Sequence, residues 1–420
     1  MASLATSGRP IPSVRPRLTL GLLSVQHGLI HAQSALLPLV FVEVVAVFGV
    51  GVAAVGILLG IANLLNGAVQ LAFGPLSRYV ARPRILGGAG LLFGVGTVLT
   101  AAAASWTTFS LATIVARLGG SPQHTVGHAL LAEQFPAVRR SMAISTHIAM
   151  GNLGTVAVPL VGGWLIATAG WQSALLVLGV PAIVVALAIL LLVREAGTDR
   201  AAALAEGSTW RIIRAIRHER DLRWVFVAST VASAGRGLGI VTTFVPLYLS
   251  LVLGLDGATI AVMYTLLLAG SVPGPILAGW LAERFGHRWV LVGSYVLGAA
   301  SLALLVLAGS TIPLVWLAIG FMSAFVYEES ALLQALLADV ARPGIRDVAF
   351  GAYFTLMFVV GALWSAILGI VVGALGNDLG FPVAFAIMAA SYLLAALAIL
   401  PISPDAHRAG RDAHPPLPED

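Results

Sequence analysis

The chain contains no cysteine and no lysine, and only 10% of its 420 residues are charged. The absence of cysteine excludes disulfide bonds, thiolate metal ligands and cysteine nucleophiles. The absence of lysine means that all 23 cationic side chains are arginines, which keep their charge in proteins. Low charge and a mean hydropathy of +0.97 together place the chain far outside the range of soluble globular domains.

Twelve apolar runs of about 20 residues or more are separated by short polar segments. A helix needs about 20 residues to cross roughly 30 Å of hydrocarbon, so each run is long enough to span a bilayer. We therefore predict an all-α, multi-pass membrane protein with twelve spans. The predicted spans are 18–42, 51–75, 85–104, 107–132, 141–168, 172–193, 222–250, 258–281, 289–309, 312–338, 347–375 and 381–401.

The arginines occur in every second gap between the spans. Only Arg117 and Arg236 lie inside apolar runs, and the intervening gaps carry only acidic charges, at Glu43, Asp256 and Asp378. Cytoplasmic loops of membrane proteins accumulate arginine, whereas short exported loops avoid it. We therefore predict a bacterial inner-membrane protein with both termini in the cytoplasm. The arginine-bearing segments are 1–17, 76–84, 133–140, 194–223, 282–288, 339–346 and 402–420.

The longest interruption, 194–221, divides the chain into two predicted six-helix bundles, 18–193 and 222–401. Short segments recur between the halves: 74–77 corresponds to 279–282, and 130–133 corresponds to 336–339, at offsets of 205 and 206 residues. Parallel repeats of this kind allow two bundles to rock about a central site.

The segments outside the bundles are polar. Residues 1–17 resemble the charged start of a signal peptide, but the apolar run that follows is too long, so we predict a retained first helix. Within the linker, Ser208 precedes a segment in which arginines are interleaved with isoleucines, which fits an amphipathic helix on the inner leaflet or a solvated basic linker. The proline-rich segment 402–420 is predicted to be a disordered cytoplasmic tail.

Residues 279–288 read Gly-Trp-Leu-Ala-Glu-Arg-Phe-Gly-His-Arg. They resemble the loop signature of the major facilitator superfamily, G-x-L-a-D-R-x-G-R-R, with Glu283 in place of the aspartate. The resemblance implies two pseudo-symmetric bundles and a cytoplasmic gate formed by Gly279, Glu283, Arg284 and Arg288. In such a gate the glycine lets two helix backbones approach closely, and the charged side chains bind neighbouring helix ends.

The fifth span carries a second family-like pattern, Gly154-x-x-x-Val158-Pro159-x-x-Gly162-Gly163. It is similar to the antiporter motif G-x-x-x-G-P-x-x-G-G of drug exporters in that superfamily, with Val158 in place of one glycine. Glycines with a proline on a membrane helix allow tight packing and a kink. The resemblance implies export.

A narrower likeness is to transporters of the fosmidomycin-resistance type. The segment 27–31 followed by Leu-Leu-Pro at 36–38 resembles the first helix of that group, and 119–124 resembles part of its fourth helix. The aspartate of the group is replaced here by His31. The likeness is limited to two helices and does not identify a substrate.

In the superfamily fold the first, fourth, seventh and tenth helices line a central cavity, and the conspicuous polar residues of this chain lie on those spans. His27, His128 and His147 are expected to be packed polar residues, and histidines without acids or cysteines at fixed spacing predict no metal site. No cofactor is expected beyond a proton gradient. The predicted substrate and proton pathway consists of His31, Arg117, His124, Arg236, Glu328 and Glu329.

Counting from the cytoplasmic ends, Arg236 lies about 13 residues deep and the two adjacent glutamates, Glu328 and Glu329, about 10. At 1.5 Å per residue the depths differ by about 4 to 5 Å, so an arginine–glutamate pair across the cavity is within reach. Adjacent helical residues point in different directions, so one glutamate is expected to pair and the other to be free for proton exchange. The pair is either part of the transport cycle or a static link between helices.

Arg117 has no acid at its own depth in the N-terminal half. A charge within the membrane is costly and usually has a partner. The partner is either an anionic group of the substrate, or water and backbone carbonyls.

We predict a secondary active transporter, a proton-coupled exporter of a small amphiphilic or anionic compound. No glycine-rich nucleotide-binding loop is found, so ATP is not expected to drive it directly. Uptake of an organic anion is the alternative. A membrane-embedded enzyme or a sensor has no supporting nucleophile motif, metal cluster or soluble domain. We expect a monomer in the lipid bilayer that binds a small molecule and no nucleic acid.

Overall fold

The computed structural model describes residues 14–195, 219–341 and 346–403, and the regular secondary structure of these ranges is helical throughout. Short segments of π-helix at 123–127 and 237–241 and of 3₁₀-helix at 233–235 interrupt the α-helices. The α-helices are α1 (Pro16–Phe48), α2 (Val52–Tyr79), α3 (Arg82–Ala101), α4 (Trp106–Gly120), α5 (His128–Gln134), α6 (Ala137–Leu192), α7 (Arg220–Ala232), α8 (Thr242–Leu251), α9 (Gly257–Ala269), α10 (Pro273–Phe285), α11 (His287–Ala308), α12 (Ile312–Phe325), α13 (Glu328–Val340), α14 (Arg346–Leu375) and α15 (Asn377–Ile399).

Ten helical stretches of the described residues are long and apolar enough to cross a membrane, compared with twelve predicted spans. Helix α6 covers both the fifth and the sixth predicted spans, and Gly170 within it has non-helical angles, φ 80° and ψ 160°, which mark a kink between them. The fourth predicted span is divided between α4, a π-segment and α5, each of which is too short by itself. The number of crossings therefore stays a prediction, whereas the multi-pass helical architecture is confirmed.

Helix α1 is longer than the predicted span 18–42. It continues to Phe48 and ends at Gly49, whose φ of 62° is the left-handed conformation typical of a helix end. Glu43 therefore lies inside the helix and not in a loop. At the start of α9, by contrast, Asp256 caps the helix by accepting hydrogen bonds from two backbone N–H groups.

The outward surfaces of the helices are apolar. Large side chains such as Leu111, Leu191 and Leu307 are more than half exposed, and they belong to helices in both halves of the chain. Soluble monomers rarely expose apolar patches on this scale. The exposed leucines therefore mark surfaces that lipid covers.

Glycines allow close contact between the two halves along α2 and α14. A Cβ atom added to Gly56 would lie 2.8 Å from the Cα atom of Gly369, so neither position has space for a side chain. Small residues of this kind let helix backbones approach within van der Waals contact, which drives helix association in membranes.

Charged contacts gather several helix ends at one face. The guanidinium of Arg82, at the start of α3, forms ion pairs with Glu133 at the end of α5 and with Glu195 just after α6. In the second half, the backbone N–H of Ser403, beyond α15, donates to Asp221 at the start of α7. Within each half, segments predicted to share the cytoplasmic side therefore do lie together.

The residues of the predicted amphipathic helix lie outside the described part of the chain, as do residues 1–13 of the N-terminal segment and 404–420 of the tail. The predicted division into two bundles stays a prediction, although α1–α6 pack extensively against one another.

Candidate functional site

The seventh predicted span is not a continuous α-helix. After α7 the chain passes through a 3₁₀ turn to Arg236, whose φ of −57° and ψ of 126° are extended, and then to Gly239, whose φ is 97°. Helix resumes as α8. Discontinuous helices of this kind occur at binding sites in membrane proteins because irregular backbone is tolerated where it lines a cavity.

The fourth predicted span is also irregular at mid-depth. Pro122 precedes a π-helical segment, Gln123–Gly127, which contains His124. A proline removes a backbone N–H donor and disturbs the α-helical hydrogen-bond pattern. Single π-helical turns are rare and occur frequently at functional sites.

A cavity of about 360 Å³ lies between these two breaks. It brings together four of the six predicted pathway residues, namely His31, Arg117, His124 and Arg236. Glu328 and Glu329 do not line it. The remaining polar lining comes from Gln33, Ser34, Asn63, Asn66, Gln70, Ser121, Thr155, Thr242, Thr243 and Tyr264.

Arg236 is paired with Glu329, one of the two glutamates that were predicted to be within its reach. Its Nε donates to Glu329 Oε1 at 3.1 Å, and the hydroxyl of Tyr295 donates to the other carboxylate oxygen at 3.1 Å. The Glu329 side chain is only 2% exposed. Both of its oxygens are therefore occupied by donors, which lowers the cost of burying the charge.

Glu328 has a different environment from its neighbour. It is 3% exposed, and neither of its carboxylate oxygens has a side-chain hydrogen-bond partner among the described residues. It packs against Gly274 of α10, where an added Cβ would lie 2.5 Å from Oε1. As the first residue of α13 it lies at the positive end of the helix dipole, where negative charge is favoured.

Arg117 has no acidic partner in the described part of the chain. Its Nη1 donates to the side-chain oxygen of Asn63 at 3.4 Å, and its Nε is buried without a hydrogen-bond partner. The two membrane arginines thus differ: Arg236 has a carboxylate, and Arg117 has one weak neutral contact.

Five histidines form one cluster beside the cavity. The ring of His27 lies 4.5 Å from that of His31, 4.9 Å from that of His124 and 4.2 Å from that of His147. The ring of His128 contacts those of His124 and His147. His27, His128 and His147 were expected to be packed polar residues. Their clustering with His31 and His124 is not evident from the sequence, because His147 belongs to a separate span, 120 positions from His27.

Three of the four predicted gate residues have described side-chain positions or backbone, and the Glu283 side chain lies outside the described part of the chain. Gly279 lies within α10, and Arg284 is exposed, with its guanidinium carbon 5.9 Å from the ring centre of Trp280. Arg288 donates to the backbone oxygen of Ile402 at 3.2 Å. These contacts stay within the C-terminal half, so the gating role remains a prediction.

The antiporter-like segment lies at helix contacts. A side chain at Gly154 would clash with the backbone of Gly28 in α1, and one at Gly162 would clash with Leu36. Gly163 faces Ala261 of α9, in the other half of the chain. Pro159 lies within the same stretch of α6. The glycines therefore provide close packing of the fifth predicted span on both sides.

Comparisons with known proteins agree with this architecture. A family model described as "Major Facilitator Superfamily" matches residues 23–365 and 234–418. The chain is 25% identical to an "MFS-type efflux pump" of Mycolicibacterium smegmatis, over 78% of this chain and 77% of the relative. It is 24% identical to a "cis,cis-muconate transport protein" of Acinetobacter baylyi, over 72% of this chain and 74% of the relative.

A similar fold is found among solved structures. A bacterial homologue of the human lysosomal transporter Spinster, in an inward-facing and unoccupied conformation, aligns with a TM-score of 0.73 at 16% identity. The alignment covers 96% of this chain and 98% of that one. At this identity the likeness concerns the fold alone.

Proposed function

Because the chain belongs to the Major Facilitator Superfamily, whose members are transporters and not enzymes, we propose that it exports a small organic anion in exchange for protons. It does so by alternating access, with twelve crossings and both termini in the cytoplasm of a bacterium. The observation that carries the proposal is Arg117, a cation that lines the cavity and has no acidic partner among the described residues.

An anionic substrate would complete the environment of this arginine. A charged arginine at the centre of a membrane helix costs about 2.5 to 3.5 kcal/mol, and the neutral oxygen of Asn63 at 3.4 Å offsets little of this. A carboxylate accepts bidentate hydrogen bonds from a guanidinium, which are stronger than those to a neutral acceptor. The cavity of about 360 Å³ fits a small molecule.

Arg236 and the glutamates supply the coupling. A substrate carboxylate that reaches Arg236 competes with Glu329 for its guanidinium and leaves that buried acid free to take a proton. Glu328, adjacent to it, already lacks a side-chain partner. A buried carboxylate without donors is costly, so a proton on either glutamate offsets the loss of the arginine. Anion binding and protonation of a glutamate therefore favour each other through this pair, so transport depends on the proton gradient, and the direction of substrate movement rests on other observations.

The direction of transport rests on the pattern at Gly154, Pro159, Gly162 and Gly163, which resembles the exporter motif, and on the efflux pump among the relatives. Uptake is the second candidate, because another relative is named for the transport of cis,cis-muconate, a dicarboxylate. Both candidates use the same cavity and the same inward flow of protons, and they differ in the direction in which the substrate moves.

Inside-out bacterial membrane vesicles with an imposed acidic interior test the proposal, with labelled cis,cis-muconate and a panel of other carboxylates as probes. A proton-coupled exporter accumulates the substrate in these vesicles, and collapse of the pH gradient abolishes accumulation. A proton-coupled importer accumulates it only in right-side-out vesicles with an acidic exterior. Accumulation that is unaffected by the gradient in both orientations would refute proton coupling.

Matched variants assign the roles. We expect Arg117→Gln to lose substrate accumulation, and Glu329→Gln to retain exchange but lose its dependence on the pH gradient. Glu328→Gln leaves the ion pair between Arg236 and Glu329 intact. Comparing its transport with that of Glu329→Gln therefore shows which of the two acids carries the proton. If both glutamine variants keep pH-dependent transport, neither glutamate carries the proton.

A further inference from the structure

Three histidines hold their ring nitrogens close enough to share one ion. His27, His31 and His124 each offer a nitrogen, and these atoms lie within 4.8 Å of one another. The first two are one helical turn apart on α1, and the third is on the π-helical segment that follows α4. The group was not expected from the sequence, which predicts no metal site.

Hydrogen bonds orient two of the three rings as metal ligands. His27 Nδ1 donates to the backbone oxygen of His147 at 2.9 Å, so its proton is on Nδ1 and its lone pair is on Nε2. That Nε2 is buried and has no partner, and His27 as a whole is 1% exposed. Metal-binding histidines commonly use the second nitrogen in this way, donating to a carbonyl while the other nitrogen binds the metal.

The second ring is held in the same tautomer. The hydroxyl of Thr155 donates to the backbone oxygen of Gly151, so it accepts from His31 Nδ1, which lies 3.2 Å away. The lone pair of His31 is therefore on Nε2. A side chain at Gly151 would crowd both rings, since an added Cβ would lie 2.8 Å from His27 Cε1 and 3.2 Å from His31 Cδ2. This glycine makes room for the pair.

His124 completes the set from the cavity side. It is exposed to the cavity, and His31 also lines it, whereas His27 lies behind them. A tetrahedral ion with bonds of about 2.0–2.1 Å needs nitrogens about 3.3 Å apart. The three nitrogens lie within 4.8 Å of one another, so they would move closer together on binding such an ion. An ion held there would have its open fourth position toward the cavity.

We propose that His27, His31 and His124 form a binding site for a divalent transition metal, with Zn²⁺ as the ion that three imidazoles and one open position suit best. Imidazole ligands select Zn²⁺, Co²⁺, Ni²⁺ and Cu²⁺ over Mg²⁺ and Ca²⁺, which prefer oxygen. Three protein ligands with an open position are typical of zinc sites that bind a further molecule. The open position is available to water or to an anion in the cavity.

The full chain, purified in detergent with an affinity tag that contains no histidine, tests the site directly. Titration with Co²⁺ is followed by visible absorption, and competition by Zn²⁺ gives its affinity. We expect one ion per chain with a tetrahedral Co²⁺ spectrum. His124→Gln should fold, because its side chain is exposed to the cavity, and should bind at least about 100-fold more weakly than wild type, more than the 10- to 100-fold typical of an outer-shell change.

Thr155→Val tests the orientation of His31 without removing a ligand, and should weaken binding by about 10- to 100-fold. His128→Gln and His287→Gln are the controls, one within the histidine cluster and one outside it, and both should bind as wild type does. Absence of a tetrahedral Co²⁺ spectrum in wild type, or unchanged binding in His124→Gln, would overturn the proposal. Arg117→Gln should keep metal binding even where it loses anion transport, so the metal site and the proposed function can fail separately.

Discussion

The ion pair between Arg236 and Glu329 yields an asymmetric prediction about stability. Glu329→Gln keeps the shape of the side chain and removes its charge, which leaves a buried arginine without a counter-ion. Breaking a buried pair in this way costs about 3–5 kcal/mol. Because the Arg236 side chain is 11% exposed, and so partly hydrated, we expect the lower end of that range, about 3 kcal/mol.

The reverse change should cost less. Arg236→Gln leaves Glu329 buried, but a carboxyl group can become neutral by taking a proton, whereas a guanidinium keeps its charge. The hydroxyl of Tyr295 at 3.1 Å still donates to Glu329 in that variant. We therefore expect a loss of about 1–3 kcal/mol, the usual penalty for losing a buried hydrogen-bond partner. The double variant should be less destabilised than Glu329→Gln alone.

Thermal unfolding in detergent measures this difference. The chain has nine tryptophans and no cysteine, so intrinsic tryptophan fluorescence is the suitable signal and thiol-reactive dyes are not. Unfolding entropy of about 2.1 cal/mol/K per residue makes about 3 kcal/mol equivalent to a fall of about 3–4 °C in Tm for a chain of this length. Glu328→Gln, the neighbouring acid outside the ion pair, is the control and should not lower Tm.

The reasoning is refuted if Glu329→Gln melts at the wild-type temperature. It is also refuted if Arg236→Gln is the more destabilising of the two single changes, because the cost would then not arise from an unneutralised cation.

Three further predictions concern sites elsewhere in the fold. Arg117→Gln should weaken binding of cis,cis-muconate, measured by titration calorimetry. It should not lower Tm, because no acid among the described residues depends on this arginine. Unchanged affinity would exclude Arg117 from the substrate site. Gly154→Ala should cost about 1–3 kcal/mol by overpacking against α1, whereas Gly88→Ala, with open space around its Cβ position, should be neutral or slightly stabilising in the same melts. Hydrogen bonds from Thr259 hold the pKa of the Asp256 carboxyl below its ordinary value of 3.8. The charged carboxylate therefore stabilises the fold above pH 3.8, and this contribution is lost as the pH falls through the lower pKa of the folded state. Asp256→Asn should accordingly lower Tm at pH 7, and the difference in Tm from wild type should shrink below pH 3.8. A difference in Tm that is independent of pH would contradict this.

Much of the architecture could be predicted from the sequence because hydropathy and arginine placement act locally along the chain. The length of an apolar run determines whether it can cross a bilayer, and the segments around Arg82, Glu133 and Glu195 were predicted to lie on one side because of the arginine pattern. The structure places those three side chains in contact. Helix ends were less predictable: Glu43 lies within α1, because the helix continues to the glycine at position 49.

The identity of the acid that pairs with Arg236 was not predictable from depth. Glu328 and Glu329 are adjacent and equally deep, and the choice depends on the rotation of α13. That helix starts only after the break at Val326 and Tyr327, so its rotation is not fixed by the helix before it. Packing of Glu328 against Gly274 then directs the second glutamate toward the arginine.

By itself, the sequence determined a multi-pass helical protein, the loops that share a face and the two membrane arginines, because each follows from local composition. Only the tertiary structure decided which polar groups meet. His27, His124 and His147 come from three different spans, and no periodicity along the chain relates them. Their meeting depends on helix crossings that the glycines at 28, 151 and 154 permit, and those crossings arise from packing between helices.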